Sequence, residues 1–291
     1  MSMRIAMFAV CVSLAGAPHP AAAQTPEGAA ADRPASEQKV TLYELVLRDG
    51  SRLYGTVERQ DDVEVVFITQ AGARVTARRA EIASLKQVTG SLLQGEFMPP
   101  DPNATRLFFA PTGRSLKKGQ VYLGVYEFVM PFVQVGVTDR FSVGGGTPLV
   151  FGIDEWERPF WITPKLQVLD TPSSQIAVGV LHAFDVDGDG GGIGYVVGTR
   201  GGTAASVSIG AGMAYGTDGG RAGVLMVGGE RTVRRNLKLI TENYIWKGGN
   251  GVASAGVRFF GDRLSADLAL GFPLGADDFF AFPIVNFVYV F

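Results

Sequence analysis

The chain has 291 residues, of which 46% are hydrophobic and only 19% are charged, against roughly 25% charged residues in typical soluble domains. After the N-terminus no apolar stretch reaches the roughly 18 residues that a membrane-spanning helix needs, so we expect no such helix in the mature chain. A formal net charge of −2 argues against a nucleic-acid partner, because proteins that bind nucleic acids present basic surfaces.

The N-terminal segment, residues 1–23, is predicted to be a signal peptide, with a positive start, an apolar core over residues 5–15 and small residues at 21–23. The single cysteine, Cys11, lies inside this segment, so the mature chain is expected to lack disulfides. Residues 24–38 are rich in alanine, proline and charged residues, and we predict a disordered linker there.

A small β domain is predicted next, over residues 39–90, where short apolar strands alternate with turn signals. Its pattern consists of Leu47 to Gly50, Gly55 to Val57, Val65 to Thr69, Gly72 and Ile82. This spacing resembles the Sm-like or SH3-like small barrels found ahead of membrane barrels in bacterial envelope proteins. Sm-like domains bind RNA through basic loops, whereas residues 58–64 of this chain are acidic. We therefore expect a periplasmic module that serves either as a spacer or as an interaction module for a periplasmic protein.

Residues 91–118 are predicted to be a connector. It contains the run Asn103 to Arg114 and is followed by a turn at Thr138 to Arg140 and a glycine-rich segment at Gly145 to Pro148. This combination resembles a family of bacterial outer-membrane proteins. The resemblance implies a β-barrel and brings no particular activity with it.

From residue 119 to the end, the chain divides into about twelve short strands, most of which have the roughly 9–11 residues that a tilted spanning strand needs. Short turns alternate with longer loops rich in glycine or aspartate. Together these features predict an all-β fold with a transmembrane antiparallel barrel, placed in the outer membrane with its N-terminal domain in the periplasm. The predicted strands are 119–129, 131–138, 140–150, 159–169, 174–184, 191–200, 204–215, 221–231, 235–246, 251–260, 264–273 and 279–291.

One side of the last strand ends in Phe287, Tyr289 and Phe291, and we expect this side to face the membrane lipid. A terminal Phe after alternating apolar and aromatic residues resembles the signal read by the barrel-assembly machinery of Gram-negative bacteria. The opposite side, with Ile284 and Val288, is expected to face the lumen. The partners this implies are outer-membrane lipid, lipopolysaccharide and the assembly machinery.

Strand alternation also predicts a lumen charge network, since charged residues of several strands fall on the side opposite the apolar one. If Asp262 and Arg263 form a two-residue hairpin loop, Arg258 lies directly across from Asp267, and we predict an ion pair between them. Leu169 is expected inside as well. The predicted network consists of Lys165, Lys238, Glu242, Arg258 and Asp267.

One loop copies the start of a calcium site, with Asp185, Asp187 and Asp189 at its first, third and fifth positions. The twelfth position holds Val196 instead of the usual glutamate, so we expect either an acidic surface loop or weak calcium binding shared with lipopolysaccharide phosphates. No other cofactor is predicted. Trp156, Trp161 and Trp246 fall near loop ends, where aromatic residues typically form an interfacial girdle.

The leading functional hypothesis is a non-enzymatic outer-membrane barrel, either a narrow channel or a structural or assembly protein of the envelope. An alternative is a membrane-embedded lipid hydrolase or acyl-modifying enzyme. Such an enzyme would need a serine beside His182, but the neighbouring strands contain none. A second alternative is a soluble periplasmic barrel that binds an apolar ligand.

Overall fold

The computed structural model describes residues 38–93, 96–149, 159–184, 190–216, 219–246, 248–275 and 280–291. The predicted signal peptide, most of the linker and the calcium loop with Asp185, Asp187 and Asp189 lie outside these residues. In the described residues the chain forms two antiparallel β-sheets. No helix in this part of the chain is both long and apolar enough to span a bilayer.

The N-terminal sheet is antiparallel, with the strand order β4-β3-β2-β1-β5-β6. Its buried centre is formed by Leu45, Phe67 and Ala77, and a 3-10 turn at Arg79–Glu81 joins β4 to β5. Within the described residues its ladder stays open at both edges, so closure into an Sm-like or SH3-like barrel stays a prediction. The strands are β1 (Gln38–Leu47), β2 (Arg52–Gln60), β3 (Glu64–Thr69), β4 (Arg74–Arg78), β5 (Ile82–Leu93) and β6 (Glu96–Met98).

The second sheet closes on itself into a twelve-stranded antiparallel barrel, which confirms the predicted strand number. It contains thirteen named strands, because β10 and β11 are two pieces of one strand that both pair with the strands on either side. Pro164, which has no N–H to donate to a ladder, lies at the break. The strands are β7 (Val121–Tyr126), β8 (Met130–Gly136), β9 (Phe141–Gly146), β10 (Phe160–Ile162), β11 (Lys165–Asp170), β12 (Ser174–Phe184), β13 (Gly190–Gly201), β14 (Ala205–Gly216), β15 (Arg221–Arg234), β16 (Leu237–Trp246), β17 (Gly251–Phe260), β18 (Leu264–Leu274) and β19 (Phe282–Val290).

The barrel is apolar outside and polar inside. On β19, Ile284, Asn286 and Val288 are buried, whereas Tyr289 is exposed, as the alternation predicts. Leu169 was predicted to face the lumen, and this is wrong, since its side chain is 39% exposed. The ladder between β11 and β12 shifts register between Gln167 and Leu169, and such an irregularity turns the following residue to the other face.

The N-terminal sheet contacts the end of the barrel that carries the short turns. Arg52 forms an ion pair of 2.8 Å with Asp262 in the turn between β17 and β18, and Arg235 lies over the ring of Tyr54. Partial burial favours neutral Asp262, but the hydrogen bond from Arg52 and nearby cationic charges outweigh it and hold the pKa of Asp262 below its ordinary value. These contacts place the N-terminal sheet against this end of the barrel.

Candidate functional site in the barrel lumen

The lumen of the barrel is occupied by the chain's own connector. Residues 99–120, here called the plug, run from β6 into the barrel before β7 begins. Leu107 and Phe108 are fully buried there. The middle of the plug folds back on itself, with a bridge between Arg106 and Pro111 and a 3.0 Å hydrogen bond from Thr112 N to Thr105 O. The sequence indicated a connector at this position but not that it enters the lumen.

Glu242 on β16 holds the tip of the plug. Its Oε2 accepts the backbone N–H groups of Phe108, Phe109 and Ala110 at 2.8, 3.0 and 3.0 Å. Oε1 accepts the hydroxyl of Tyr244 at 2.8 Å. Three successive N–H groups around one carboxylate form an anion-binding nest, so the charge of Glu242 stabilises the bent backbone of the tip.

Arg258 on β17 joins the barrel wall to the plug. The predicted pair with Asp267 is present, with Nε at 2.6 Å from Oδ1, and the two residues are directly opposite in the ladder. The same guanidinium donates to Asp101 Oδ2 at 3.1 Å and to the backbone carbonyl of Asn103 at 2.9 Å. Arg258 is completely buried, so the plug supplies part of its solvation.

A second ionic group centres on Glu230 of β15. Lys238 Nζ lies 2.9 Å from Glu230 Oε2 and 3.2 Å from Asp101 Oδ2 of the plug. Arg114 of the plug also pairs with Glu230. Glu230 was not predicted as a lumen residue, although strand alternation indicates it, since it is two residues from Gly228 and Thr232 on the inward side of β15.

Lys165 on β11 is bound to the plug by carbonyl groups. Its Nζ donates to Arg114 O at 2.6 Å, Thr105 O at 3.1 Å and Thr112 O at 3.5 Å. Gln167 on the same face donates to the carbonyl of Gly113 at 3.1 Å. All five residues of the predicted lumen network are thus buried inside the barrel, and all but Asp267 contact the plug directly.

A cavity of about 200 Å³ lies between the plug and the ends of the strands that lead to the longer loops. Its walls are largely apolar, and the plug tip is its floor. Trp161, predicted to belong to the lipid-facing girdle, packs beside Tyr122 and Phe132 and lines this cavity instead. Its position on the inward face of β10 is the reason. The main lining residues are Arg106, Phe109, Tyr126, Phe132, Trp161, Lys165, Tyr195, Val224, Met226 and Tyr244.

His182 lies outside the lumen, on the face of β12 opposite the one that carries the buried residues. Its Nδ1 is 3.0 Å from the hydroxyl of Tyr215, and its ring meets Phe184 edge-on. No serine contacts it in the part of the chain that the structure describes. His182 therefore belongs to an aromatic cluster on the outward face of the barrel.

The three residues of the predicted assembly signal lie along one outer face of the last barrel strand and its end. Phe287 contacts Phe128 at 5.7 Å between ring centroids, and Tyr289 contacts Phe291 at 5.1 Å. Phe291 is 67% exposed. This face lies beside the seam where β19 pairs with β7.

No family model and no curated protein sequence matches this chain. Among solved structures, the KdgM porin in complex with disordered oligogalacturonate aligns with a TM-score of 0.47 and 9% identity, covering 59% of this chain and 98% of that one. OmpT expressed in the outer membrane of Vibrio cholerae aligns with a TM-score of 0.36 and 12% identity, covering 87% of this chain and 96% of that one. Such identities assign no activity to this chain.

Proposed function

We propose that this chain is a non-enzymatic outer-membrane β-barrel that acts as a channel closed by its own plug. The observation that carries this proposal is the connector inside the lumen, held there by Glu242, Arg258, Lys165 and the Glu230 group. A twelve-stranded barrel is wider than the eight-stranded barrels that side chains alone can fill. Occupation by a backbone segment accounts for the closed lumen of this larger barrel.

The apolar outer surface of the barrel supports the proposal that the barrel lies in lipid. Leu268, Ile209 and Leu225 are each more than half exposed, and similar residues recur on the outward side of strand after strand. Water would penalise such a surface, whereas a bilayer stabilises it. On the usual orientation, with short turns in the periplasm and longer loops outside, the N-terminal sheet lies in the periplasm. There it is available to a periplasmic protein partner, and lipid and lipopolysaccharide surround the barrel.

Electrical recording in planar lipid bilayers, on the wild-type protein and on a plug variant, tests the channel. In the plug variant, residues 103–112 are replaced by a Gly-Ser segment of equal length, which keeps the link between sheet and barrel. We expect the wild-type protein to be almost non-conducting and the variant to open stable channels, because the lumen side chains then face water. Arg52→Ser, which removes a contact outside the lumen, is the control and should stay closed. Silence of the folded plug variant would contradict the channel, and open wild-type channels would contradict the plug.

The location has a separate test. We expect the protein to fractionate with the outer membrane and to migrate differently on a gel before and after heating, because a closed hydrogen-bonded barrel resists detergent in the cold. Recovery in the soluble periplasmic fraction would instead support a barrel that binds an apolar ligand in water.

The exposed aromatic face of β19 is proposed to be read during assembly. Phe291→Ser should lower the amount of folded protein in cells while leaving refolding into detergent micelles nearly intact, because the substitution removes little packing from the finished barrel. Phe259→Ser is a matched control, since Phe259 is also a lipid-facing phenylalanine, 53% exposed, but lies on β17 away from the seam. Equal cellular levels of the Phe291 variant and the wild type would count against this role.

A further inference from the structure

Two of the five cations in the lumen have no carboxylate partner among the described residues. Arg114, Lys238 and Arg258 each form ion pairs with buried carboxylates. Arg106 and Lys165 form none in that part of the chain, although both are buried. A buried charge without a counter-ion is costly, so an anion that reached these groups would be bound favourably.

Arg106 lies at the cavity with part of its donor capacity unused. Its Cζ is 4.5 Å from the ring centroid of Phe132 and 4.9 Å from that of Tyr122. Its Nε and Nη2 groups donate to Tyr122 and Gln134. Among the described residues no acceptor hydrogen-bonds to Nη1, so Nη1 is the donor available to a ligand.

Lys165 lies at the same cavity, and its Nζ is surrounded by neutral groups. The three acceptors of its Nζ are backbone carbonyls of the plug, which solvate the ammonium without neutralising it. Arg106 and Lys165 both line the cavity, so their positive fields add where a ligand would lie.

The rest of the cavity wall favours an apolar ligand group. Aromatic rings and aliphatic groups from Trp161, Tyr195, Val224 and Met226 surround a volume of about 200 Å³. A cavity of about 150 Å³ in another protein accepts benzene. The space therefore fits one aromatic ring or a short acyl chain with a small polar head.

We propose that this cavity is a binding site for a small amphipathic carboxylate, an aromatic acid or a short-chain fatty acid. Its apolar part would lie against the aromatic walls, and its carboxylate would accept a hydrogen bond from Arg106 Nη1. Lys165, whose three donors are bound to plug carbonyls, would add only its positive field. Charge-assisted hydrogen bonds are roughly twice as strong as neutral ones, which gives the site its preference for an anion. The inference rests on the plugged lumen of the proposed function but not on conduction, so the two fail independently.

Calorimetric titration of the purified full-length protein in detergent tests the site with benzoate as the probe, and with benzamide and benzylammonium as matched neutral and cationic compounds. We expect benzoate to bind and the other two to bind about tenfold more weakly or not at all. Val224→Phe places a ring in the cavity without touching a plug contact and should abolish benzoate binding. Val227→Phe makes the same change on the lipid-facing side of β15 and should leave binding intact.

Two results would overturn the proposal. Equal affinity for benzoate and benzamide would show that the cations do not select the ligand. Unchanged benzoate binding by a folded Val224→Phe protein would place the site elsewhere. A heat-modifiability gel establishes that both variants fold before they are titrated, and conductance recording reports on the plug separately from binding.

Discussion

Replacing Arg258 by methionine is expected to destabilise the folded barrel by about 3–5 kcal/mol. The substitution leaves the carboxylates of Asp267 and Asp101 buried, with only Lys238 near the second of them. It also removes the donor for the backbone carbonyl of Asn103. An uncompensated buried charge costs more than the lost ion pair itself, so the effect should exceed that of an ordinary lumen substitution.

Urea unfolding of the refolded protein, followed by tryptophan fluorescence, measures this effect. Adding Asp267→Asn to the Arg258→Met protein should recover part of the lost free energy of unfolding, because it removes one of the stranded charges. Phe259→Met, the neighbouring substitution on the outward side of the same strand, is the control and should have a smaller effect. A change under about 1 kcal/mol for Arg258→Met would contradict the network, since surface ion pairs contribute that little.

Replacing Glu242 by leucine should release the plug tip and raise the hydrogen-exchange rates of the Phe108, Phe109 and Ala110 amides about 100-fold. Each of these N–H groups donates to the Glu242 carboxylate. Hydrogen bonds to charged groups contribute about 1.5–3 kcal/mol each, and about 1.4 kcal/mol corresponds to a factor of ten. Leucine is similar in size, so the loss is one of acceptors more than of packing.

Amide exchange followed by mass spectrometry or NMR gives the readout at these three positions. Glu242→Gln keeps an acceptor oxygen without the charge, and an intermediate increase is expected. Glu127→Gln, in the turn after β7, is the matched control and should leave the tip protected. Unchanged exchange in Glu242→Leu would mean that the tip is held by its own fold and by its remaining contacts, such as Asn286 with Phe108 O.

Much of the barrel follows from local patterns. A strand alternates its side chains between two faces, so the inward position of Arg258 and the outward position of Phe259 can be read from the chain itself. A short hairpin then sets the register, which is why Arg258 was expected opposite Asp267 and is found there. The limit of this reasoning is local irregularity, and the bulge at Gln167 reversed the predicted orientation of Leu169.

The position of the plug inside the lumen could be learned only from the tertiary structure. Phe108 and Glu242 are 134 residues apart, and nothing periodic in residues 99–120 indicates which strands will surround them. The same holds for Glu230, whose partners Arg114 and Lys238 come from the plug and from the next strand. The sequence by itself determined a barrel with charges inside, because alternation is a property of each strand. Only barrel closure decided that these charges bind a backbone segment, because closure brings distant segments into one small lumen.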